Sequence, residues 1–483
     1  VAIESASDEN SQTVPSTPGQ ARLADHVGVF FAGLGATVER DAHANIIATL
    51  PGRGALASAE PLALMVHLDT ARGTRPEPAL TVTRAWDGEH LPFAANPRIR
   101  VDVATYPTLS VFLGHDVVHG GGLAPFGLDD KLGLARLMTL AWLLAENPAI
   151  AHRPLLLIGR PDEEIGRSDA LFGLAALLAE RGVRRGYTVD GIEPYEVNIE
   201  NFNAARASVI LPSRPLTVEA LLAVRIAGVN SHGATAHAEV HRAAPRLAVE
   251  VLRAGGAPVV GFRTDPHREC DAVVVFDVSA EGAARRTFDA LDAVLRQHRD
   301  RGANWTEQPV PAGFVPDGAA GAMLAFVDRF LASDPGFTLL AEDSHGRDGY
   351  SHPFRAFPVE QGVQLDLRLR DFTVAGLAAR MDHAARLGGN GVSLSEQYTN
   401  MGPRLADAPE LVEWAKAAGD QRGREVRVLP IRGGTGVDPF LDVGVAVGNL
   451  GTGYFAPESE KELTSLQMLA GHARWLVALV QQA

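Results

Sequence analysis

Two short strings, Val66-His67-Leu68-Asp69-Thr70 and Pro161-Asp162-Glu163-Glu164-Ile165-Gly166, decide how this chain is read. The first follows the apolar run Ala63-Leu64-Met65, so His67 leaves the end of a buried strand with Asp69 two residues on, close enough to orient its imidazole. A metal-binding histidine needs such a partner. The second follows Leu155-Leu156-Leu157-Ile158 and sets two adjacent carboxylates at a strand end, where one can bind metal and the other can hold a proton. Between them lies Gly127-Leu128-Asp129-Asp130-Lys131, and downstream comes Tyr187-Thr188-Val189-Asp190-Gly191. Singly, a His-x-Asp is a surface ion pair or a core histidine, and a Glu-Glu is the solvated first turn of a helix. Jointly, in one order and at the ends of apolar runs, they point to a carboxylate-rich dinuclear metal site in an α/β protein, because open α/β sheets place their sites outside the carboxyl ends of strands.

Composition narrows the classes. A chain of 483 residues suits two domains rather than one. A net charge of −14 argues against nucleic-acid binding, which calls for a basic face. No apolar run reaches the length of a membrane span, and Val1-Ala2-Ile3-Glu4-Ser5 lacks the basic and apolar regions of a signal peptide, so a cytoplasmic protein with no membrane partner is expected. The single cysteine, Cys270, excludes an internal disulfide and argues against a Cys-ligated metal. Lys131, Lys416 and Lys461 are the only lysines among 44 basic residues, which makes Lys131, inside the metal motif, the one of interest.

Along the chain, residues 1 to 12 read as a polar, frayed end. Helical periodicity runs from Gln20 to Leu34, and strand-like pieces follow at Asn45 to Thr49 and Pro61 to Val66. The polar, Pro-rich stretch Ala71 to Pro107 reads as a peripheral hairpin. Asp130 to Glu146 reads as a helix, which puts Asp129 at its N-terminus, where the free N–H groups favour a carboxylate. A further helix spans Ser168 to Arg181. After Ala205 come strands at Leu221 to Ile226, Ala272 to Val278 and Val363 to Arg370, with helices at Ala243 to Arg253, Gly282 to Gln297 and Val374 to Arg386. That order suits a two-layer α+β domain of ferredoxin-like type.

With these residues in place, the chain resembles the two-zinc exopeptidases that include peptidase T, carboxypeptidase G and acetylornithine deacetylase, and the peptidase T branch most of all. The strings that carry the resemblance are Val14-Pro15-Ser16-Thr17-Pro18-Gly19-Gln20, Tyr187 to Gly191 running into Glu200-Asn201-Phe202-Asn203-Ala204-Ala205, and Pro430-Ile431-Arg432-Gly433-Gly434-Thr435. The resemblance implies a catalytic domain in two parts, 1–207 and 394–483, with an inserted ferredoxin-like lid and dimerisation domain at 208–393. The lid is longer than the family's, with the extra sequence expected between Gly302 and His352. It further implies that Asp129 bridges two zinc ions, that His67 and Asp190 complete one, and that Glu164 is a ligand of the other. Glu163 becomes the general base, Asp69 the group that holds the His67 tautomer, and His232 the lid histidine that reaches the substrate carbonyl. Arg432 is implied to face the substrate, where a guanidinium can hold a terminal carboxylate, and Asn400 is a weaker candidate for the same cleft. The expected activity is metal-dependent hydrolysis of short peptides from the amino end, with a homodimer formed through the lid.

One departure from the family stands out. Its last zinc ligand is a histidine before the final helix, and this chain reads Gly451-Thr452-Gly453-Tyr454-Phe455-Ala456-Pro457-Glu458-Ser459-Glu460. Aligning back from Glu462 and Leu466 puts Glu458 at the ligand position; aligning on the proline puts Phe455 there. Two zinc ions are expected, one of them weak or absent, with manganese or cobalt as alternatives. His472 reads as packed in the last helix, His115 and His119 are second choices for a metal, and His237 with His241, which resemble metal spacing but have no carboxylate motif around them, read as surface or lid residues. Two other readings follow from the altered segment: a family member dedicated to one pathway amide, and a catalytically silent binding homologue.

Overall fold

Leu62–His67 (β3) and Leu155–Arg160 (β6) are buried at every position, so both faces of these strands must be covered. Strands buried on both faces belong to a parallel sheet with helices packed on either side. The computed structural model, which describes residues 1–230, 240–340 and 347–482, shows this arrangement. Two compact units emerge from the contacts: 1–95, 102–201 and 399–483 form the first, and 96–101 with 202–398 form the second.

The first unit holds an eight-stranded sheet. Its strands are Thr37–Arg40 (β1), Ile46–Leu50 (β2), β3, β6, Arg185–Gly191 (β7), Glu196–Asn198 (β8), Arg427–Val428 (β17) and Ala446–Gly451 (β18), in the order β1-β2-β6-β3-β7-β18-β8-β17. At its centre β6, β3, β7 and β18 run parallel, with Leu64 opposite both Leu157 and Tyr187. Their carboxyl ends therefore open side by side. Helices Pro18–Gly33, Leu128–Glu146, Leu171–Glu180, Glu410–Asp420 and Leu466–Leu479 contribute Leu23, Leu137, Leu174, Leu411 and Trp475 to one core with the strands. Truncating such a residue, for example Leu64→Ala, costs about 2–5 kcal/mol.

A small second sheet joins Thr81–Thr83 (β4), Val117–His119 (β5) and Leu463–Ser465 (β19). The 71–107 stretch is thus not a hairpin of its own: its strand pairs with β5, outside the stretch. The amino end is likewise not frayed. Ser5 and Ser7 are buried, Ala6 bridges Thr70, and Lys131 Nζ donates to the Ile3 carbonyl at 2.7 Å. Its polar residues find backbone partners next to β3 instead of water.

The second unit contains two nested βαββαβ modules. The outer one begins with Asn203–Pro212 (β9), is interrupted, and resumes with helix Gly318–Leu331, Tyr350–Val359 (β14), Gly362–Asp371 (β15), helix Val374–Gly388 and Val392–Tyr398 (β16). The interruption is itself complete: Leu221–Ala227 (β10), helix Ala244–Arg253, Val259–Thr264 (β11), Ala272–Asp277 (β12), helix Ala283–Arg296 and Asn304–Gln308 (β13). Both sheets, β14-β15-β9-β16 and β11-β12-β10-β13, have the same all-antiparallel order of their second, third, first and fourth strands. This is the ferredoxin-like arrangement. The extra length is therefore a second such module, beyond the one helix and prolines of 302–352. Strands β9 and β16 also carry the edges of the unit out to 202 and 398, past the expected limits of 208 and 393. Val224, Val274, Leu365, Leu367 and Phe326 share one core across both modules, and the Ala356 N–H donates to Thr264 Oγ1 at 2.9 Å.

Candidate metal centre

The carboxyl ends of β3, β6, β7 and β18 deliver the polar side chains. His67 ends β3 and is buried. Its Nδ1 lies 2.9 Å from the Asp69 carbonyl oxygen and 3.4 Å from Asp69 Oδ1. Both partners are acceptors, so Nδ1 carries a proton and Nε2 is the nitrogen left to face a metal. Nε2 faces Asp129 Oδ1 at 2.9 Å and Asp190 Oδ1 at 3.5 Å. An imidazole nitrogen and two carboxylate oxygens turned toward one another call for a cation among them, a proton on Nε2 or a metal in its place.

Asp69 does more than orient the imidazole. Its buried carboxylate accepts the Glu163 N–H on Oδ1 and the Glu164 N–H on Oδ2, each at 3.0 Å. The loop after β6 is held from the other side by Asp162, which accepts from Ser16 N–H at 2.8 Å and from Gln20 Nε2 at 2.7 Å. The Ser16-to-Gln20 string thus anchors the residue next to Glu163. Glu163 Oε1 lies 3.9 Å from Arg160 Nη2, and Arg160 also donates to the Thr435 carbonyl at 2.8 Å.

Asp129 and Asp130 open the helix Leu128–Glu146 with non-helical backbone, so the regular helix starts at Lys131. Asp130 Oδ1 accepts the Gly133 N–H at 3.1 Å and its Oδ2 the His67 N–H at 3.2 Å, so this carboxylate caps the helix and pins the end of β3. Asp129, one residue earlier, points elsewhere: Oδ1 to His67 and Oδ2 to the Tyr454 hydroxyl, which donates at 2.9 Å.

The segment after β18 completes the cluster. Ligand atoms of His67, Asp129 and Asp190 lie within 4.8 Å of one another, and so do those of Asp129, Glu164 and Glu458. Glu458 takes a left-handed φ of 56°, as does Ala456. Glu462 sets this turn: its Oε1 accepts the Glu458 N–H at 3.0 Å, while Oε2 accepts from Phe126 and Gly127, each at 2.9 Å, and from Leu128 at 3.3 Å. One carboxylate therefore fixes the approaches to both Asp129 and Glu458. Phe455 instead pairs with Leu463, and its ring packs 5.2 Å from Tyr106.

The electrostatics agree with the geometry. Burial opposes charge on His67, yet Asp190, Asp129 and Asp69 outweigh it and hold the imidazole well above its usual range. Burial and Asp129 push Asp190 up to about 8. Glu164 rises well above a normal glutamate through burial, Glu458 and Asp129. Burial also raises Glu163, while His67 and Arg160 pull it down. Acids that raise one another in a buried cluster are acids that a cation would stabilise as carboxylates.

Tyr454, Glu462 and Asp130 were not singled out from sequence, although all three lie among the quoted residues. Asn400 Oδ1 accepts from the Asn201 and Gly402 N–H groups at 3.2 and 2.8 Å, so it holds backbone. Arg432 is buried in the 430–435 loop. His232 and His237 lie outside the described residues. His472 is buried in the last helix, its Nδ1 2.9 Å from the Met468 carbonyl and its Nε2 accepting from Tyr195 N–H at 3.1 Å. His115 Nδ1 meets Ser465 Oγ at 3.0 Å and His119 Nδ1 the Gly120 carbonyl at 2.9 Å, so the two rings serve local contacts.

No protein-family profile matches the chain. It is 26% identical to peptidase T of Exiguobacterium sibiricum over 484 aligned residues, covering 99% of this chain and 95% of that protein. Against peptidase T of a Geobacillus species the identity is 32% over 213 residues, 43% of this chain and 50% of the relative. Among solved structures, the aminopeptidase PepT of Bacillus cereus superposes with a TM-score of 0.51 at 16% identity, covering 99% of this chain and 95% of that one. Aminoacylhistidine dipeptidase of Vibrio alginolyticus gives 0.50 at 17%, covering 99% and 94%.

Proposed function

Because the chain belongs to the peptidase T branch of the M20 metallopeptidases, we propose that it is a metal-dependent exopeptidase that releases amino-terminal residues from short peptides. The observation that carries this reading is the pair of ligand groups sharing Asp129, with Glu163 beside Glu164 on one anchored loop. The residues fit a cation pair: Glu164 Oε1 is buried with no hydrogen-bond partner, and His67 Nε2 faces two carboxylates. His67, Asp129 and Asp190 would hold one ion, zinc by the chemistry of an imidazole-bearing set, and Asp129, Glu164 and Glu458 the other. The ions, when bound, supply Lewis acidity toward water and the peptide carbonyl.

The chain's own residues do the rest. Glu163 accepts a proton from the attacking water and passes it to the departing amine. Asp69 fixes Glu163 through its backbone N–H, and Arg160 keeps a positive charge beside its carboxylate. Arg432 is assigned to the substrate's terminal carboxylate. The same reading puts the protein in a reducing compartment such as the cytoplasm, with its one cysteine a buried thiol that donates to Asp271 Oδ1 at 3.3 Å. Among the described residues no helix is long and apolar enough to cross a membrane.

Purified protein supplied with zinc, manganese or cobalt is expected to release free amino acid from di- and tripeptides, and Glu163→Ala to abolish this. A folded, metal-loaded wild type that cleaves none of them would overturn the reading.

A further inference from the structure

The two ligand groups are chemically unequal. One contains an imidazole; the other is made of three carboxylates. Zinc is a borderline ion that suits nitrogen and sulfur ligands, whereas all-oxygen sets suit the harder manganese and magnesium ions, which also keep several waters. We propose that this centre is mixed: zinc in the His67, Asp129 and Asp190 group, and a hard divalent cation, manganese(II) or magnesium, in the Asp129, Glu164 and Glu458 group. The proposal rests on the hydrolase reading above but concerns which ion each half selects.

Three observations support it. Glu164 Oε1 is buried and without a hydrogen-bond partner, so an oxygen donor is left over for an ion. Glu458 is placed, not incidental: a left-handed φ of 56° at a residue with a side chain is disfavoured, and it is kept here by the Glu458 N–H donating to Glu462. The same Glu462 also accepts from Phe126, Gly127 and Leu128, immediately before Asp129, so two of the three oxygens share one support. Finally, this segment brings only oxygen to Asp129, the Glu458 carboxylate and the Tyr454 hydroxyl that donates to Oδ2; no nitrogen ligand enters from that side among the described residues.

Zinc exceeds manganese(II) in raw affinity at almost any such site, so selection shows as a difference between the halves. The test uses full-length protein stripped of metal by chelator dialysis. One equivalent of zinc is added, then manganese(II) is titrated, with bound manganese followed by the loss of its free-ion electron paramagnetic resonance signal and both metals counted by mass spectrometry. Wild type is expected to hold one zinc and one manganese, with magnesium competing for the manganese. Glu458→His is expected to raise the second half's preference for zinc over manganese by on the order of tenfold or more. Glu458→Gln, which keeps the side chain's shape, is expected to lose the manganese and retain the zinc, and serves if the histidine variant does not fold. Two zinc ions bound with equal affinity in wild type, or manganese binding unchanged in Glu458→Gln, would overturn the proposal. If such a two-zinc protein still cleaves tripeptides, the mixed centre fails and the peptidase reading stands; a protein that binds neither metal removes both.

Discussion

Each unit buries carboxylates, but in opposite company. In the second unit Asp366 is fully buried and receives Arg355 Nη2 at 2.9 Å, Ser208 Oγ at 2.7 Å and Gln364 Nε2 at 2.8 Å. Asp271 receives Arg225 Nη2 at 2.8 Å, Arg268 Nε at 3.1 Å and Gly228 N–H at 3.0 Å. In the first unit Asp129, Asp190, Glu163, Glu164 and Glu458 are set against one another and one imidazole. A buried charge is tolerated only when paired. The acids of the second unit bring their cations within the chain, whereas those of the first converge on a place where a cation must come from outside. That contrast distinguishes a structural ion pair from a binding site without reference to any relative.

The sharpest way to break the contrast is Glu163→Gln. A base that acts in the reaction should cost about 10²–10⁴-fold in turnover, while metal content and thermal stability stay at wild-type values. Unchanged peptide hydrolysis would return Glu163 to the category of structural acids. Next in size is Asp366→Ala, which strands Arg355. Because that guanidinium is partly exposed, the loss should sit near the lower end of the range for broken buried pairs, about 3 kcal/mol in denaturant unfolding of the second unit, with metal stoichiometry unaffected. A drop in bound metal would mean that the two units are not independent in this respect.

Chelation should do the converse. An ion present at 100 times its dissociation constant stabilises the folded state by about 2.7 kcal/mol, and that increment should vanish from the first unit alone. Hydrogen exchange should quicken at the carboxyl ends of β3, β6 and β7 and stay constant in β9 and β15; an equal response in both would refute the contrast. The smallest effect belongs to Tyr454→Phe, which removes one donor from Asp129. About 1 kcal/mol, a few-fold in metal affinity measured against a chelating dye, is expected.

Much of this was legible in the sequence because the parallel strands announce themselves. Runs such as Leu62–Met65 and Leu155–Ile158 fix where strands end, and residues that follow a central strand end must lie near one another. His67, Asp129, Glu163, Glu164 and Asp190 could be nominated on that ground. Glu458 was one of two alignments, separated from Phe455 by counting back from Glu462; the structure brings Glu458 to Asp129 and Glu164 and buries Phe455 against Tyr106. Tyr454 and Glu462 carried no local signal, since a hydroxyl that donates to a carboxylate 325 residues away, or a carboxylate that accepts a backbone N–H 336 residues away, has no periodicity to betray it. The amino end misled for the same reason: polar composition predicts solvation, and its partners, Thr70, Lys131 and Asp162, are remote in sequence. The doubled module was hidden because its strands and helices were each readable while their division into two sheets depends on long-range pairing.

The nesting of the second unit sets an order in time. On a ribosome, the inner module from β10 to β13 is contiguous and can close as soon as it emerges, whereas β9 must wait for β15 and β16, its sheet neighbours on either side. The sheet that carries the proposed metal ligands waits longest, since β18 lies between β7 and β8 and is made after every other strand of that sheet. Tyr454, Glu458 and Glu462 follow it. The nascent chain thus exposes His67, Asp129 and Glu164 until the residues that finish their enclosure are made, so a chain stopped short of β18 would be a protein with most of its proposed ligands and no assembled catalyst.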